Sequence, residues 1–166
     1  MFALSWGGVQ LAEASRGRRA ASVQNVSVNW HPQSTFSGEV PDARAQLMRT
    51  DSKVKALLRT RELNPGHVYT LWWIVINSPE NCAAYPDQCT AADVLGNTDG
   101  VQADVTYGGG VVAGKNGKGR FSSHLALGEL SNPWFGNGFN STQDAEIHLV
   151  VNDHGPKVPG LVGDML

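Results

Sequence analysis

The chain has 166 residues, enough for one domain of ordinary size that buries a core without needing a metal or several disulfides. Its 13 lysines and arginines against 15 acidic residues give a net charge of -2, so the composition indicates neither a basic nucleic-acid-binding face nor an acidic tail. Nineteen glycines, eight prolines and only 17% charged residues favour a β protein rich in loops and turns.

The N-terminal segment, residues 1–21, is expected to be a leader outside the fold. It has a weak apolar run and a small-x-small triplet at 12–14, but no basic residue precedes the run, so it makes a poor signal peptide. No stretch approaches the roughly 18 apolar residues of a membrane span. We therefore expect a single β domain over residues 22–166, without a membrane span.

The first half of that domain is predicted to be made of strands. Apolar and polar residues alternate with a period of two, the pattern of half-buried strands, in residues 24–30, 45–50 and 53–62. The last two flank Asp51-Ser52 and predict a hairpin. The run 67–77 is apolar on both faces, which predicts a central strand with Trp72 and Trp73 pointing in opposite directions.

The second half shows the same pattern after a long connection at 78–100. Strand signals lie at residues 101–107, 111–114, 120–127 and 145–151. Glycines 108–110 are expected to break or bend the chain, and Asn116-Gly117 predicts a hairpin turn. A second long loop covers 128–143. Seven or eight short antiparallel strands predict an all-β antiparallel sandwich, with a closed antiparallel barrel as the alternative.

Both cysteines, Cys82 and Cys89, lie in the long connection. Their number excludes a four-cysteine zinc site. Their spacing suits a surface loop closed by a disulfide, and two free thiols are the alternative. A disulfide would indicate an oxidising compartment.

The segment EIHLVVNDHGP, residues 146–156, concentrates polar and ionisable groups in and after an apolar run. On a straight strand His148 and His154 would lie about 20 Å apart at about 3.3 Å per residue, too far to share a metal. His154 is followed by glycine and proline, so a turn is its expected place. His154 and Asp153 are also candidates for a surface binding site.

His124 is a better partner for His148. If residues 121–127 and 145–151 were antiparallel neighbours, one register would place these histidines directly opposite, with Cβ atoms about 4.5–5.5 Å apart. Glu146 shares their face, and His67 would be a fourth ligand if its strand were adjacent. Such a set suits zinc or copper. The alternative is a polar outer face on which histidines happen to be neighbours.

Aromatic residues in the two long loops suggest a different kind of site. Trp134 lies in the glycine-rich loop and Tyr85 lies between the cysteines. Both are candidates for an aromatic platform that binds sugars or a protein partner, or for caps on the open ends of the core.

Two segments carry a resemblance: PGHVYTLWWIVINSPENC at residues 65–82 and AEIHLVVNDHGP at residues 145–156. The chain resembles, over about residues 40–161, a group of small exported bacterial proteins of uncharacterised function. The resemblance implies export and a shared β-sandwich fold, and it implies no catalytic residue.

The leading hypothesis is therefore a secreted or cell-surface β-sandwich that acts as a binding or structural module. Its partner would be a glycan or a protein, or another copy through unpaired strand edges, and not a nucleic acid. The alternative is a metal-dependent enzyme that uses zinc or copper at the histidine–carboxylate cluster.

Overall fold

The structure, a computed structural model, describes the backbone of residues 2–4 and all of residues 21–32 and 34–166. These residues form a mostly β protein with two antiparallel sheets packed face to face. The sheets stay separate over the described residues, so the fold is the predicted sandwich and not the closed barrel.

Nine strands lie in the described residues: β1 (Phe2–Leu4), β2 (Ser22–Val26), β3 (Asn29–Trp30), β4 (Arg44–Arg49), β5 (Lys53–Thr60), β6 (His67–Ile76), β7 (Ala103–Val112), β8 (Gly119–Ala126) and β9 (Glu146–Pro156). Sheet A has the order β3-β1-β9-β6-β7, and sheet B has the order β2-β4-β5-β8. A 3-10 turn (Pro79–Asn81) and two short helices, α1 (Ala91–Gly96) and α2 (Val162–Met165), complete the elements. Neither helix has the length or apolar character to span a bilayer.

The main core lies between the two sheets. Alternation along each strand sends one set of apolar side chains inward, among them Leu47, Leu58, Trp73, Ile147 and Leu149, each at most 2% exposed. Burying a side chain of this size contributes about 1.5–3 kcal/mol. The Trp73 indole also donates from Nε1 to Ser123 Oγ of sheet B at 2.9 Å, so its one polar atom is satisfied inside the core.

The outer face of sheet A carries a second apolar cluster. Ile76 of β6 and Val105 of β7 pack there against residues of the connection 78–102, including Val94 and Val101. Trp72 and Ile74 lie at the border of this cluster and are partly buried. The strand β6 is therefore covered on both faces near its end, and Trp72 and Trp73 point in opposite directions as predicted.

The three glycines at 108–110 bend one strand and do not separate two. They lie inside β7, where the pairing with β6 shifts register between Leu71 and Trp72. Gly109 has φ +127, a conformation that L side chains rarely adopt, and a Cβ on Gly108 would lie 2.8 Å from the Trp73 indole. Glycine is thus required for both the bulge and the close packing.

The turn at Asn116-Gly117 forms, but the predicted hairpin does not. Gly114 and Lys118 close the turn through a 3.0 Å backbone hydrogen bond. However, β7 before the turn belongs to sheet A, and β8 after it belongs to sheet B. The turn is a corner at which the chain changes sheets.

The start of the fold and the end of the last strand differ from expectation. Phe2–Leu4, within the range expected to precede the fold, pair with β9 and β3 as a strand of sheet A. Residues 5–20 of that range lie outside the described residues. At the other end, β9 continues through Asp153 to Pro156, so His154 belongs to a strand and not to a turn.

Candidate functional site

The predicted histidine pair is not assembled. His124 lies on β8 in sheet B, opposite Lys55 of β5. His148 lies on β9 in sheet A, opposite Ile74 of β6. The register that would oppose the two histidines does not occur, because their strands belong to different sheets.

His67, the expected fourth ligand, is also remote. Its strand β6 does neighbour β9, but His67 pairs with Pro156 while His148 pairs with Ile74. These positions are about 23 Å apart along β6 at about 3.3 Å per residue. Within the described residues, no group of three histidine, cysteine or acidic side chains could hold a metal ion. The predicted zinc or copper ligand set is therefore dispersed.

Glu146 and His148 contact each other, and Glu146 also holds the disulfide loop. The ring Nε2 of His148 pairs with Glu146 Oε1, and the backbone N–H of Cys89 donates to the same oxygen at 3.0 Å. Cys89 is disulfide-bonded to Cys82, as predicted, with Cα atoms 5.4 Å apart. The carboxylate thus fastens the disulfide loop to the outer face of β9.

Asp93 fixes the other side of that loop. Its carboxylate accepts hydrogen bonds of 2.8 Å from the backbone N–H groups of Ala83 and Thr90 and from the Thr90 hydroxyl. These bonds, that of Ala83 first, hold the pKa of Asp93 below its usual value. The disulfide loop is therefore docked at both ends and borders the outer face of sheet A.

A polar cluster joins β6 to β9 at the opposite end of the sheet. Asp153 accepts from His67 Nδ1 at 2.9 Å, from the Tyr69 hydroxyl at 2.9 Å, from Asn64 Nδ2 at 3.1 Å and from the Gly155 N–H at 2.8 Å. Burial by itself raises the pKa of Asp153, but these donors outweigh it and the pKa lies below its usual value.

The same polar cluster fixes the protonation of the Tyr69 hydroxyl and the tautomer of His67. Burial raises the pKa of Tyr69 to about 12, so its hydroxyl stays protonated and donates to Asp153. A carboxylate only accepts, so His67 carries a proton on Nδ1. The cluster clamps the two strands together, and Asp153 orients the ring of His67.

Between these two ends, the outer face of sheet A presents an aromatic surface formed by Trp72, Tyr107, Trp134 and Phe135. The ring centroid of Trp72 lies 5.6 Å from that of Trp134 and 5.8 Å from that of Tyr107. Trp134 is 61% exposed and Tyr107 is 42% exposed. Exposed aromatic rings grouped in this way mark an interaction site more often than rings that stand alone.

The exposed indole is held by hydrogen bonds of its loop. The backbone N–H of Trp134 donates to the carbonyl of Val105 at 3.0 Å. The fully buried carboxylate of Asp104 accepts from the N–H groups of Val105, Phe135 and Gly138 at 2.8, 3.2 and 2.9 Å. The loop is thus fixed to the edge of β7, although its tryptophan projects into solvent.

A polar row formed by Thr70, Asn152 and His154 lies beside the aromatic surface. Thr70 Oγ1 accepts from Trp72 Nε1 at 2.9 Å and lies 2.7 Å from His154 Nε2. Asn152 is the cross-strand partner of Thr70, and its Oδ1 is buried without a hydrogen-bond partner in the described residues. A buried acceptor of this kind is costly unless something donates to it.

The C-terminal segment borders this surface on the side away from the disulfide loop. A Cβ on Gly110 would lie 2.5 Å from Leu166 Cδ2 and 3.2 Å from the Tyr107 hydroxyl. Lys157 donates its backbone N–H to Gly66 at 3.0 Å, which ties the start of the segment to the sheet. The aromatic surface thus lies between two flanking segments.

The residues predicted to form a surface binding site lie in different places. Trp134 lies in the aromatic surface and His154 in the polar row, whereas Asp153 belongs to the polar cluster that joins β6 to β9. Tyr85 is 47% exposed on the disulfide loop and makes no ring contact with Trp134 in the described part of the chain. Sequence reasoning missed Asp104, although an acid at an inward position of an alternating strand was a usable signal.

No protein-family model, curated protein or solved structure matches the chain significantly. The assignment of a function rests on the chemistry of these surfaces.

Proposed function

We propose that the chain is a binding module of an exported protein, and that the aromatic surface and the polar row together bind a neutral carbohydrate. The observation that carries this proposal is the state of Trp134, an indole that is 61% exposed and yet fixed through its own backbone to β7. A large apolar ring held in water by a rigid scaffold is preorganised for a ligand, because little motion remains to be lost on binding.

The chemistry around the ring favours a sugar. A pyranose has an apolar C–H face that packs on an aromatic ring and a rim of hydroxyl groups that need hydrogen-bond partners. The polar row supplies a partner beside the rings, because the exposed ring of His154 has a nitrogen that does not contact Thr70.

Export is supported by two features. The disulfide between Cys82 and Cys89 is typical of proteins from oxidising compartments. The segments 65–82 and 145–156 resemble exported bacterial proteins. Secretion or display at the cell surface therefore belongs to the proposal.

The alternative, a metal-dependent enzyme, has less support. Its ligand set is divided between two sheets, and Glu146 is engaged by His148 and Cys89. A protein partner would use the same aromatic surface, and it is the natural second outcome of a binding experiment.

The test is depletion binding to a panel of insoluble neutral polysaccharides (cellulose, xylan and chitin), followed by titration with soluble oligosaccharides of any that bind. Trp134→Ala is expected to weaken binding at least tenfold, since stacking of a sugar on an indole is lost. Tyr85→Ala is the matched control, because it removes an exposed aromatic ring outside the surface. No binding to any member of the panel, or equal binding by Trp134→Ala, would contradict the proposal.

A further inference from the structure

The outer face of sheet B has an unusual charge distribution. Its four strands contain six lysines and arginines and no aspartate or glutamate: Arg44, Arg49, Lys53, Lys55, Arg59 and Arg120. Arg49 is buried, where its guanidinium donates to the carbonyls of Thr142 and Ala145. The other five are exposed and form what we call the basic face. The net charge of -2 hides this segregation, so composition gave no sign of a basic face.

The strand register concentrates the charge further. Arg44 pairs with Arg59, and Arg59 pairs with Arg120, so three guanidinium groups cross three neighbouring strands in one row. Like charges directly opposite each other destabilise a sheet. None of the five cations forms an ion pair within the described residues. A surface that accepts this repulsion without ion pairs to offset it is typical of a functional site.

A groove opens beside the row. β2 ends at Val26, which pairs with Ala45, so Arg44 has a strand neighbour only on the β5 side. The space left is a groove of about 590 Å³, whose lining includes Arg44, Arg59, Asn25, Gln46, Leu57 and Glu39. Gln46 Nε2 donates to Asn25 Oδ1 at 2.9 Å, which orders the two amides. Glu39 is the one acid among the described residues of this lining.

We infer that the basic face binds an anionic polysaccharide, and that the groove receives one of its carboxylate or sulfate groups between Arg44 and Arg59. Guanidinium groups bind such oxyanions through paired, charge-assisted hydrogen bonds. The amides of Asn25 and Gln46 offer hydrogen bonds to sugar hydroxyls, and Leu57 offers an apolar contact. The remaining cations, further along the sheet, would follow the charges of a polymer.

Single-stranded nucleic acid fits the face less well. Its binding sites combine basic grooves with aromatic side chains on which bases stack. Phe121 is the one aromatic residue in the strands of sheet B, and it is buried in the core. The disulfide also indicates a compartment outside the reducing cytoplasm.

This second site is independent of the proposed function. The basic face belongs to sheet B and the aromatic surface to sheet A, so the two lie on opposite outer faces of the sandwich. A domain with both sites would join a neutral and an anionic polymer.

The test is calorimetric titration of the folded protein with polygalacturonate, dextran sulfate, neutral dextran and single-stranded DNA at low and high salt. The first two probes separate carboxylate from sulfate. Binding to at least one of them, weakened by salt and absent with neutral dextran, is expected. The double variant Arg44→Gln, Arg59→Gln should weaken it by about tenfold or more per guanidinium removed. Lys157→Gln, which removes an exposed cation outside sheet B, should bind as the unchanged protein does.

Three further variants complete the test. Glu39→Gln should strengthen binding, because it removes an acid that lines the groove. Lys53→Gln, Lys55→Gln provides a second double variant of the same face if the arginine variant does not fold. Trp134→Ala should leave anionic binding intact, which separates this site from the carbohydrate site on sheet A. Absence of binding to both anionic probes at low salt, binding by both double variants as tight as by the unchanged protein, or tighter binding to single-stranded DNA would overturn the inference.

Discussion

The backbone N–H of Trp134 donates to the carbonyl of Val105 at 3.0 Å, so an exposed indole is held on the edge of β7. The loop that carries Trp134 is long and rich in glycine, features that on their own favour mobility. Its attachment to β7 converts the loop into part of the scaffold. The exposed rings are therefore arranged before any ligand arrives.

Asp104 should be essential for that arrangement. Asp104→Ala would leave the N–H groups of Val105, Phe135 and Gly138 without their acceptor, at a cost of about 2–4 kcal/mol in the free energy of unfolding. Urea unfolding measures the loss, and NMR relaxation of the assigned Trp134 indole N–H should report a more mobile ring. Asp99→Ala, at an exposed position, is the control. A loss below about 0.5 kcal/mol for Asp104→Ala would show that the loop is held by other contacts.

Removal of the disulfide should lower stability without harming the aromatic surface. Replacement of Cys82 and Cys89 by serine releases a short loop, and the chain-entropy relation gives a cost of about 2.5 kcal/mol. Trp134 is attached to β7 and not to the disulfide loop, so carbohydrate affinity should persist at temperatures where the variant is folded. Unfolding curves and binding titrations check the two parts separately. Lost affinity in a folded variant would place the disulfide loop within the binding site.

The polar cluster around Asp153 predicts how the stability of the protein depends on pH in acid. The pKa of Asp153 in the folded protein lies below its usual value of 3.8, so its contribution to stability is complete above that value. The contribution is lost as the pH falls through the lower folded pKa. The stability advantage of the unchanged protein over Asp153→Asn should therefore be constant near neutrality and shrink below about pH 4. Urea unfolding across this range tests it, and an advantage that grows in acid would contradict it.

Removal of one positive charge from the row of three arginines on sheet B should stabilise the protein. Arg59 lies between Arg44 and Arg120, so Arg59→Gln removes two unfavourable cross-strand pairs. We expect a gain of about 0.2–1 kcal/mol in the free energy of unfolding at low salt and a smaller gain at high salt. Thermal or urea unfolding at two ionic strengths measures both, with Lys157→Gln as the control. If Arg59→Gln destabilises at low salt, the row is not repulsive and one reason to infer a ligand disappears.

Local patterns predicted most of the strands, although the predicted strand 24–30 is divided between β2 of sheet B and β3 of sheet A. The alternation along β4 and β5 and the opposed directions of Trp72 and Trp73 depend only on the side-chain period of a strand, which neighbouring residues reveal. The position of the cysteines likewise indicated the disulfide, because a pair separated by a short loop can reach each other.

Long-range pairing was beyond these patterns. His124 and His148 lie on strands that follow each other in the chain, and the intervening loop sends them to different sheets. The basic face has the same origin: Arg44, Arg59 and Arg120 are distant in sequence and become neighbours only through the register of three strands. The net charge is a sum over the whole chain, so it does not show that the positive charges lie together on one face.

Carbohydrate binding at the aromatic surface is tested most directly by a two-dimensional ¹H–¹⁵N NMR titration of the protein with a soluble neutral oligosaccharide that the panel selects, with the indole N–H signals assigned. We expect the indole signals of Trp134 and Trp72 to shift together with the backbone signals of Thr70 and Asn152, while the indole signal of Trp73, buried in the core, stays in place. If the oligosaccharides produce no shifts, or if the shifts fall on other surfaces and leave Trp134 unchanged, the aromatic surface is not a carbohydrate site.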